Sequence, residues 1–207
     1  MIHFQTLNNT FSYEQRDIGF VNLLNAQNPN KWRGELPSPP FVHGDRTKRD
    51  NLKNEIKEKL LTLQGKHCIY CGARFRSNSD IQREHILPKE TYPIFTFEPY
   101  NLVLACWRCN GFDFKGTKDY AIRPVCITDY RQNNFLIVHP YLDNLFDHID
   151  TSSVVLQVVN NSEKGQYTIN EFGLNDEYNI LLRSRFVNRF EDISLDGVIS
   201  DSYHYSS

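Results

Sequence analysis

The sequence predicts an α+β protein built around a small unit of two strands and one short helix that a metal ion holds together. Two pairs of cysteines, in CIYCG at 68–72 and CWRCN at 106–110, bracket this unit. Between the pairs lie an extended piece, DIQREHI, and an apolar strand, NLVLA, after which Trp107 can begin a short helix. An amphipathic helix before the bracket, with strands and a helix after it, completes the expected fold.

The composition is that of a globular chain of 207 residues, with 40% hydrophobic and 13% aromatic residues. This length suits one compact domain, or a small core with an elaboration. The formal net charge of −2 lacks the basic excess of proteins that hold nucleic acid by counter-ion release alone. Any grip on nucleic acid must therefore be local, or a partner must provide it. The N-terminus does not resemble a signal peptide, and no run approaches the roughly 18 apolar residues of a membrane span, so we expect a cytoplasmic protein without a membrane partner.

The first third of the chain predicts a surface segment followed by a helix. Residues 1–44 have weak periodicity and end in the proline-rich connector NPNKWRGELPSPPFVHG, so we expect them to wrap the surface or contact a partner. From Asp45 an amphipathic pattern predicts a helix that ends at Gly65. Its apolar face comprises Leu52, Ile56, Leu60 and Leu63. The charge-rich stretch RTKRDNLKNEIKEK mixes both signs and indicates solvated surface.

The last third predicts an α+β extension. After the apolar run NFLIVHPYLDNLFDHI, which Pro140 interrupts, SVVLQVV and QYTIN have the character of two strands joined by the turn NNSEKG. Asn175 can cap a last helix. The apolar side of that helix would comprise Tyr178, Leu181, Leu182, Phe186 and Phe190, and the polar tail after it would be loose. The expected domains are 1–44, the helix and cysteine-bracketed core at 45–125, and a C-terminal extension at 126–207 packed on that core.

The paired cysteines predict a structural zinc site. Two residues between cysteines let both thiolates face one centre, and two such turns complete a tetrahedron of sulfur. The ligands would be Cys68, Cys71, Cys106 and Cys109, and the alternative is a chance pairing of buried thiols. Four thiolates leave no open position for water, so this zinc would be scaffold rather than catalyst. Cys126 stands alone and is expected to be an ordinary thiol.

Three further residues fall inside the bracket in a specific order. Glu84–His85 ends the extended piece, Asn101 opens NLVLA, and Asn110 follows the last cysteine. With the cysteine frame and the phrases EHILPK and NLVLACWRCN, this block resembles an HNH endonuclease, the ββα-metal nuclease core, in its zinc-knuckle form. The motifs cover about residues 68–116, roughly a quarter of the chain.

That resemblance implies roles for these residues. A neutral imidazole can take a proton from water, so His85 would be the general base. Glu84 and Asn110 would hold Mg²⁺ or another divalent cation at the scissile phosphate, since both offer oxygen ligands. Asn101 would orient the loop that carries His85. The sequence departs from the family twice: aspartate is common where Glu84 stands, and the third position is Asn110 rather than histidine.

Looser phrases are similar to PtuB, the HNH subunit of Septu anti-phage systems, which also occurs beside some retrons. These phrases are the upstream helix, IVHPYLDNLFDHI, KGQYTINEFGLN and the terminal helix. This second resemblance implies an SMC-like ATPase partner of the PtuA type and a role in restricting phage-infected cells.

Weaker candidates lie around this block. Lys115 and Lys89 can reach phosphate, and Arg74 and Arg76 can contact a nucleic-acid backbone while Phe75 between them stacks a base, although an ordinary exposed hairpin would look the same. Another polar cluster comprises His139, Asp143, Asp147 and His148. For it, structural hydrogen bonds are favoured over contacts with a phosphate or a base. His67, beside Cys68, is expected to pack rather than bind metal, and RSRFVNR in the last helix is a further basic patch.

The leading functional hypothesis is a metal-dependent endonuclease that acts as an immune effector. The alternatives are a non-catalytic zinc module that binds nucleic acid and an adaptor that assembles with an ATPase. Motif chemistry does not separate DNA from RNA such as tRNA, because both contain the same phosphodiester. The weak net charge predicts that the isolated chain binds nucleic acid poorly.

Overall fold

The computed structural model describes residues 2–185, which form small two-stranded sheets surrounded by helices. The helices are α1 (Gln15–Asn25), α2 (Asp45–Gln64), α3 (Trp107–Asn110), α4 (Glu163–Glu171) and α5 (residues 177–185). The strands are β1 (Gln82–His85), β2 (Leu102–Ala105), β3 (Ala121–Ile122), β4 (Asn134–Phe135), β5 (Ile149–Asp150) and β6 (Gln157–Val158). The α+β prediction is confirmed. Among residues 2–185, no helix has the length and apolar character needed to cross a membrane.

The central unit has the predicted order of strand, loop, strand and short helix. Strands β1 and β2 are antiparallel, with Glu84 opposite Val103 and His85 opposite Leu102. All four residues of β2 are buried. The other edge of β2 is also bonded, since the Leu104 amide donates to the side chain of Gln64 at 2.9 Å and the Leu104 carbonyl accepts from the Ile69 amide at 3.1 Å. The end of α2 and the first cysteine turn therefore hold β2 in place at its second edge.

Helix α2 buries the predicted apolar face, but its charged stretch is not uniformly solvated. Leu52, Ile56 and Leu60 are buried, whereas Leu63 is only partly covered. Arg49 is 2% exposed and donates to the carbonyl oxygen of Gly34 at 2.8 Å. The expectation of a solvated charge-rich stretch was therefore wrong for Arg49, because the connector before α2 folds back over it and offers backbone acceptors.

One apolar core contains buried side chains from all three predicted segments, including Phe41, Leu104 and Phe172. Sequence reasoning missed α1, whose Phe20 and Leu24 enter this core. The same segment supports the loop between β1 and β2, because the Tyr13 hydroxyl donates to the Phe97 carbonyl at 2.7 Å. The three domain boundaries remain a prediction.

The predicted strand QYTIN is instead part of helix α4. Ser162 caps this helix by accepting from the Gly165 amide at 3.1 Å. Gly165 also lies so close to the backbone of His148 that a Cβ there would come within 2.2 Å of the His148 carbonyl oxygen. The turn residues of NNSEKG therefore start a helix rather than a hairpin, since serine is a strong helix cap. Of SVVLQVV, only Gln157–Val158 is extended, and it pairs with β5.

The last helix is capped by Asp176 and not by Asn175. The Asp176 carboxylate accepts from the Asn179 amide at 2.9 Å. The Asn175 side chain instead bonds the Leu156 amide and carbonyl, both at 2.8 Å. The predicted apolar side was also wrong in part, since Tyr178 and Leu181 are about half exposed. Phe186, Phe190 and the predicted loose tail lie outside the described residues.

Candidate active site and metal centre

The four predicted zinc ligands converge. The sulfur atoms of Cys68, Cys71, Cys106 and Cys109 all lie within 4.8 Å of one another. The Cys71 and Cys106 sulfurs are 3.9 Å apart, close to the ~3.8 Å that a tetrahedron with Zn–S bonds of ~2.3 Å requires. A compact set of four thiolates suits zinc, so the donor set and its geometry fit a structural zinc ion. Cys126 lies outside this cluster, as does His67, which packs against the ring of His3 at 5.4 Å.

Backbone hydrogen bonds fix the two cysteine turns. In the first, the Gly72 amide donates to the Cys68 carbonyl at 2.9 Å, and Gly72 has a φ of +69°. A Cβ at Gly72 would lie 2.9 Å from the Ile2 side chain and 3.0 Å from the His3 carbonyl oxygen, so only glycine allows this approach of the N-terminal segment. In the second turn, the Cys109 carbonyl accepts from the Lys115 amide at 3.1 Å. The metal site and the position of Lys115 are therefore coupled through the backbone.

His85 lies at the end of β1 and lines a small cleft of about 90 Å³. Its Nε2 is 3.0 Å from the Thr96 carbonyl oxygen. A carbonyl only accepts hydrogen bonds, so Nε2 carries the proton and Nδ1 keeps its lone pair. Burial, with a smaller contribution from the nearby Lys89 charge, lowers the pKa of His85 to about 3. The ring is 6% exposed, and it is neutral throughout the physiological range.

Glu84 and Lys115 form a buried ion pair in the same cleft. Lys115 Nζ is 3.7 Å from Glu84 Oε1, and the two side chains are 1% and 6% exposed. This distance is too long for a hydrogen bond, so Oε1 has a charged neighbour but no hydrogen-bond donor. Burial raises the pKa of Glu84 to about 7, against the opposing charge of Lys115. A buried carboxylate oxygen without a donor is a fitting ligand for a divalent cation.

Asn101 joins the two ends of the loop between β1 and β2. Its Oδ1 accepts from the Leu87 amide at 2.7 Å, and its Nδ2 donates to the carbonyls of Leu87 at 3.1 Å and Phe95 at 2.9 Å. The Tyr130 hydroxyl donates to the same Oδ1 at 3.1 Å. The side chain is fully buried, so it acts on the loop and not on a ligand. Phe95 immediately precedes Thr96, the acceptor that orients His85.

Asn110 ends α3 and also lines the cleft. Its Nδ2 donates to Gln82 Oε1 at 2.7 Å. This bond engages the side-chain amide through its nitrogen rather than its oxygen. The cleft thus brings together Glu84, His85 and Asn110, while Asn101 lies behind it.

Sequence reasoning missed two cleft residues that come from the proline-rich connector. The Trp32 ring meets the His85 ring edge to face at 4.6 Å between centroids, and Trp32 is 4% exposed. Arg33 is exposed and also lines the cleft. Lys53 of α2 holds the connector, donating to the Trp32 carbonyl at 3.0 Å. The adjacent letters WR in an otherwise turn-rich stretch were the only signal, and nothing in their spacing places them beside His85.

The predicted phosphate contacts divide into three locations. Lys89 lines the cleft, and its ammonium group forms an ion pair with the Glu90 carboxylate at 2.9 Å. Lys115 lies in the cleft but is buried against Glu84, so its ammonium group is not the exposed contact that the sequence suggested. Arg74 and Arg76 line a different cavity, and Phe75 between them is 6% exposed. The expectation that Phe75 stacks a base was therefore wrong, because its ring is in the core.

The second polar cluster has structural hydrogen bonds, as favoured. His139 is fully buried. Its Nδ1 accepts a hydrogen bond from the Tyr141 amide at 3.2 Å, and its Nε2 is hydrogen-bonded to the Tyr130 hydroxyl at 3.1 Å. Asp143 accepts from the His139 amide at 2.8 Å and pairs with Lys164. Nearby, His148 bonds the capping Ser162, and Asp147 accepts from Asn144. The alternative of a phosphate contact at His139 is wrong, because nothing can reach its ring.

Arg183 in the last basic patch is buried too. Its guanidinium donates to the carbonyl oxygens of Val154 and Leu174. Arg185 is exposed, and residues 186–189 of RSRFVNR lie outside the described residues.

Comparison with known proteins identifies the same region. Residues 68–111 match the model of the HNH endonuclease family. The chain is also 33% identical over 124 residues to the Septu protein PtuB of Bacillus thuringiensis, a match that covers 59% of this chain and 42% of that protein. The chain thus spans less than half the length of this relative. The segment that contains the cysteine cluster, β1, β2 and α3 is therefore similar to an HNH endonuclease domain.

Proposed function

We propose that this protein is a metal-dependent endonuclease that hydrolyses phosphodiester bonds of nucleic acid. One observation carries the proposal: a neutral imidazole, a carboxylate with one buried oxygen that lacks a hydrogen-bond donor and an asparagine amide line one cleft of about 90 Å³. These are the groups that phosphodiester hydrolysis by a bound cation and an activated water requires.

In this proposal His85 removes a proton from the attacking water. Its Nε2–H bond to Thr96 leaves Nδ1 as the basic atom. Burial keeps the imidazole unprotonated at physiological pH, so the lone pair of Nδ1 is free to accept a proton. Packing against Trp32, together with the bond to Thr96, holds the ring in one orientation, as a positioned base requires.

Glu84 and Asn110 would hold the catalytic cation by oxygen atoms. Mg²⁺, when bound there, would neutralise charge on the phosphate and on the departing oxygen. Lys115 counteracts the burial of Glu84 and favours the ionised carboxylate that a cation needs. Arg33 and Lys89, at the rim of the cleft, are the candidate contacts for the phosphate.

The finer assignment is a nuclease subunit of a bacterial anti-phage complex in the cytoplasm, with an SMC-like ATPase as its partner. The resemblance to a Septu protein PtuB supports it. The net charge of −2 agrees with a subunit that depends on a partner to hold its substrate.

Purified protein tests the activity directly. We expect cleavage of labelled DNA or RNA panels only when a divalent cation is present, either by the protein alone or together with the proposed ATPase partner. His85→Ala would abolish cleavage while zinc content and the circular-dichroism spectrum stay unchanged. Because a buried ring leaves a cavity, His85→Gln provides a second, better-packed variant. Full-rate cleavage by either folded variant would refute the mechanism, and nucleic-acid binding without cleavage in the complex would favour a non-catalytic subunit.

A further inference from the structure

The short helix α3 separates two cavities. Asn110 at its C-terminal end lines the cleft of His85, while Trp107 and Arg108 at its other end line a cavity of about 580 Å³. The two cavities share no lining residue. A rise of about 1.5 Å per residue places their helix positions only ~5 Å apart along the axis, so both cavities adjoin the same short helix.

Two arginines in the larger cavity lack a counter-charge. Arg74 and Arg76 are exposed, and no ion pair involves either of them among residues 2–185. The nearby Asp80 carboxylate accepts instead from the backbone amides of Arg76 and Ser77, at 2.9 and 3.0 Å. Arg108 is different, since it is paired with Asp176. The free guanidinium groups therefore give this cavity a positive wall in a protein whose net charge is −2.

Aromatic rings line the same cavity. The Trp107 side chain is 61% exposed and Tyr178 is 54% exposed. The Arg108 guanidinium lies 4.8 Å from the centre of the Tyr178 ring and holds it in place. Exposed aromatic faces beside unpaired arginines are the combination that binds unpaired nucleotides, because the bases stack and the phosphates contact the cations.

We propose that this cavity binds a single-stranded segment of nucleic acid, with phosphates on Arg74 and Arg76 and a base stacked on Trp107. The strand would continue along α3 to the cleft of His85. The choice of nucleic acid as the ligand rests on the proposed nuclease function. A volume of about 580 Å³ matches the size of one to two nucleotides.

The structure offers one competing role for these arginines. Cys71 and Cys106 also line the cavity, and a zinc ion with four thiolates carries a net charge of −2. Arg74 and Arg76 would then only balance the charge of the metal centre. Measuring zinc content alongside binding separates the two roles.

The test uses the full chain with His85→Gln as a non-cleaving parent, and measures fluorescence anisotropy of labelled single-stranded DNA, single-stranded RNA and duplex DNA at low salt. We expect Arg74→Gln/Arg76→Gln to weaken single-strand binding about tenfold and to reduce the salt slope by ~1.4, the value for two phosphate contacts on a single strand. Trp107→Ala would also weaken it about tenfold, and Trp107→Phe would restore most of the loss. The matched control is Arg16→Gln/Arg46→Gln, two exposed arginines that line neither cavity.

Each outcome decides the proposal. An equal loss in the control pair, loss of zinc without loss of binding, or loss confined to the duplex would overturn it. So would unchanged oligonucleotide binding together with lost binding to the ATPase partner, since the surface would then be a protein interface. If the protein with His85 intact cleaves nothing yet the cavity variants lose single-strand binding, the proposed activity fails and this inference stands.

Discussion

The Nε2 atom of His85 lies 3.0 Å from the carbonyl oxygen of Thr96. This contact links the candidate base on β1 to the loop that Asn101 holds, because Thr96 follows the Phe95 carbonyl that Asn101 bonds. The tautomer of His85 is therefore set by the backbone. Its lowered pKa, about 3, removes His85 from any titration near neutral pH.

The pH dependence of cleavage is expected to follow Glu84 instead. The pKa of Glu84 is raised to about 7, and only the ionised carboxylate holds a cation. The cleavage rate would therefore rise with pH through about 7 at low Mg²⁺. Because cation binding favours the ionised form, higher Mg²⁺ would move this rise to lower pH. Single-turnover rates across pH at two Mg²⁺ concentrations measure it, and a rise that does not move with Mg²⁺ would contradict the assignment.

Removing the Trp32 ring is expected to lower the stability of the protein and to raise the pKa of His85. Trp32→Ala leaves a cavity beside the imidazole and would lower the free energy of unfolding by ~3–5 kcal/mol. Water entering the cavity would raise the pKa of His85 towards its usual value of about 6.5. Titration of the His85 ring protons by NMR measures the pKa, and denaturant unfolding measures the stability.

Trp107→Ala is the matched control for that change, since Trp107 is the other tryptophan and is 61% exposed. It is expected to leave both the unfolding free energy and the His85 titration unchanged. Trp32→Phe keeps an aromatic edge against His85 and would retain the low pKa. An unchanged pKa of His85 in a folded Trp32→Ala protein would show that the indole does not position the base.

The Tyr130 hydroxyl connects the loop to the C-terminal part of the chain. It bonds His139 Nε2 and Asn101 Oδ1, each at 3.1 Å. Tyr130→Phe leaves the buried His139 donor without a partner, so we expect a loss of ~1–3 kcal/mol in the free energy of unfolding. Tyr167→Phe is the control, because its hydroxyl has no hydrogen bond among residues 2–185. Equal stability of the two variants in urea titrations would argue against this network.

The sequence predicted the central unit because its signals are local. Cysteine spacing of two residues, an apolar strand and a following helix start are each set by neighbouring positions, and the structure places the four cysteines together. The environment of His85 could not be predicted in the same way. Trp32 lies 53 positions before His85, and its approach depends on how the connector folds over Arg49 and Lys53 of α2.

The errors in the C-terminal third have a common cause. QYTIN has strand-forming residues, but a helix cap at Ser162 and the close packing of Gly165 against His148 decide its conformation. The apolar periodicity also predicted the wrong buried face for α5. Arg183 and Asn179 are buried there, whereas Tyr178 and Leu181 are exposed. Buried backbone carbonyls, which a sequence does not reveal, provide the partners of that arginine.

Zinc binding is expected to require the cysteine cluster and not Cys126. Wild-type protein would contain about one zinc ion per chain, and Cys71→Ser would lose it together with the order of β1, β2 and α3. Cys126→Ser, which removes a partly exposed thiol outside the cluster, would retain the metal. Elemental analysis after gel filtration and amide hydrogen exchange measure the two effects. Zinc loss in Cys126→Ser, or full retention in Cys71→Ser, would rule out the assigned ligand set.

Gln82 is expected to tune the affinity for the catalytic cation without taking part in the chemistry. Its Oε1 accepts from Asn110 Nδ2 at 2.7 Å, which restrains the Asn110 amide at the cleft. Gln82→Leu removes this restraint, so the Mg²⁺ concentration for half-maximal cleavage would rise about tenfold while the rate at saturating Mg²⁺ stays near that of the parent. Gln166→Leu breaks a comparable amide pair with Asn170, 2.9 Å long, on the surface of α4, and would change neither quantity. A lower rate at saturating Mg²⁺ with an unchanged midpoint would mean that Asn110 acts on the substrate rather than on the cation.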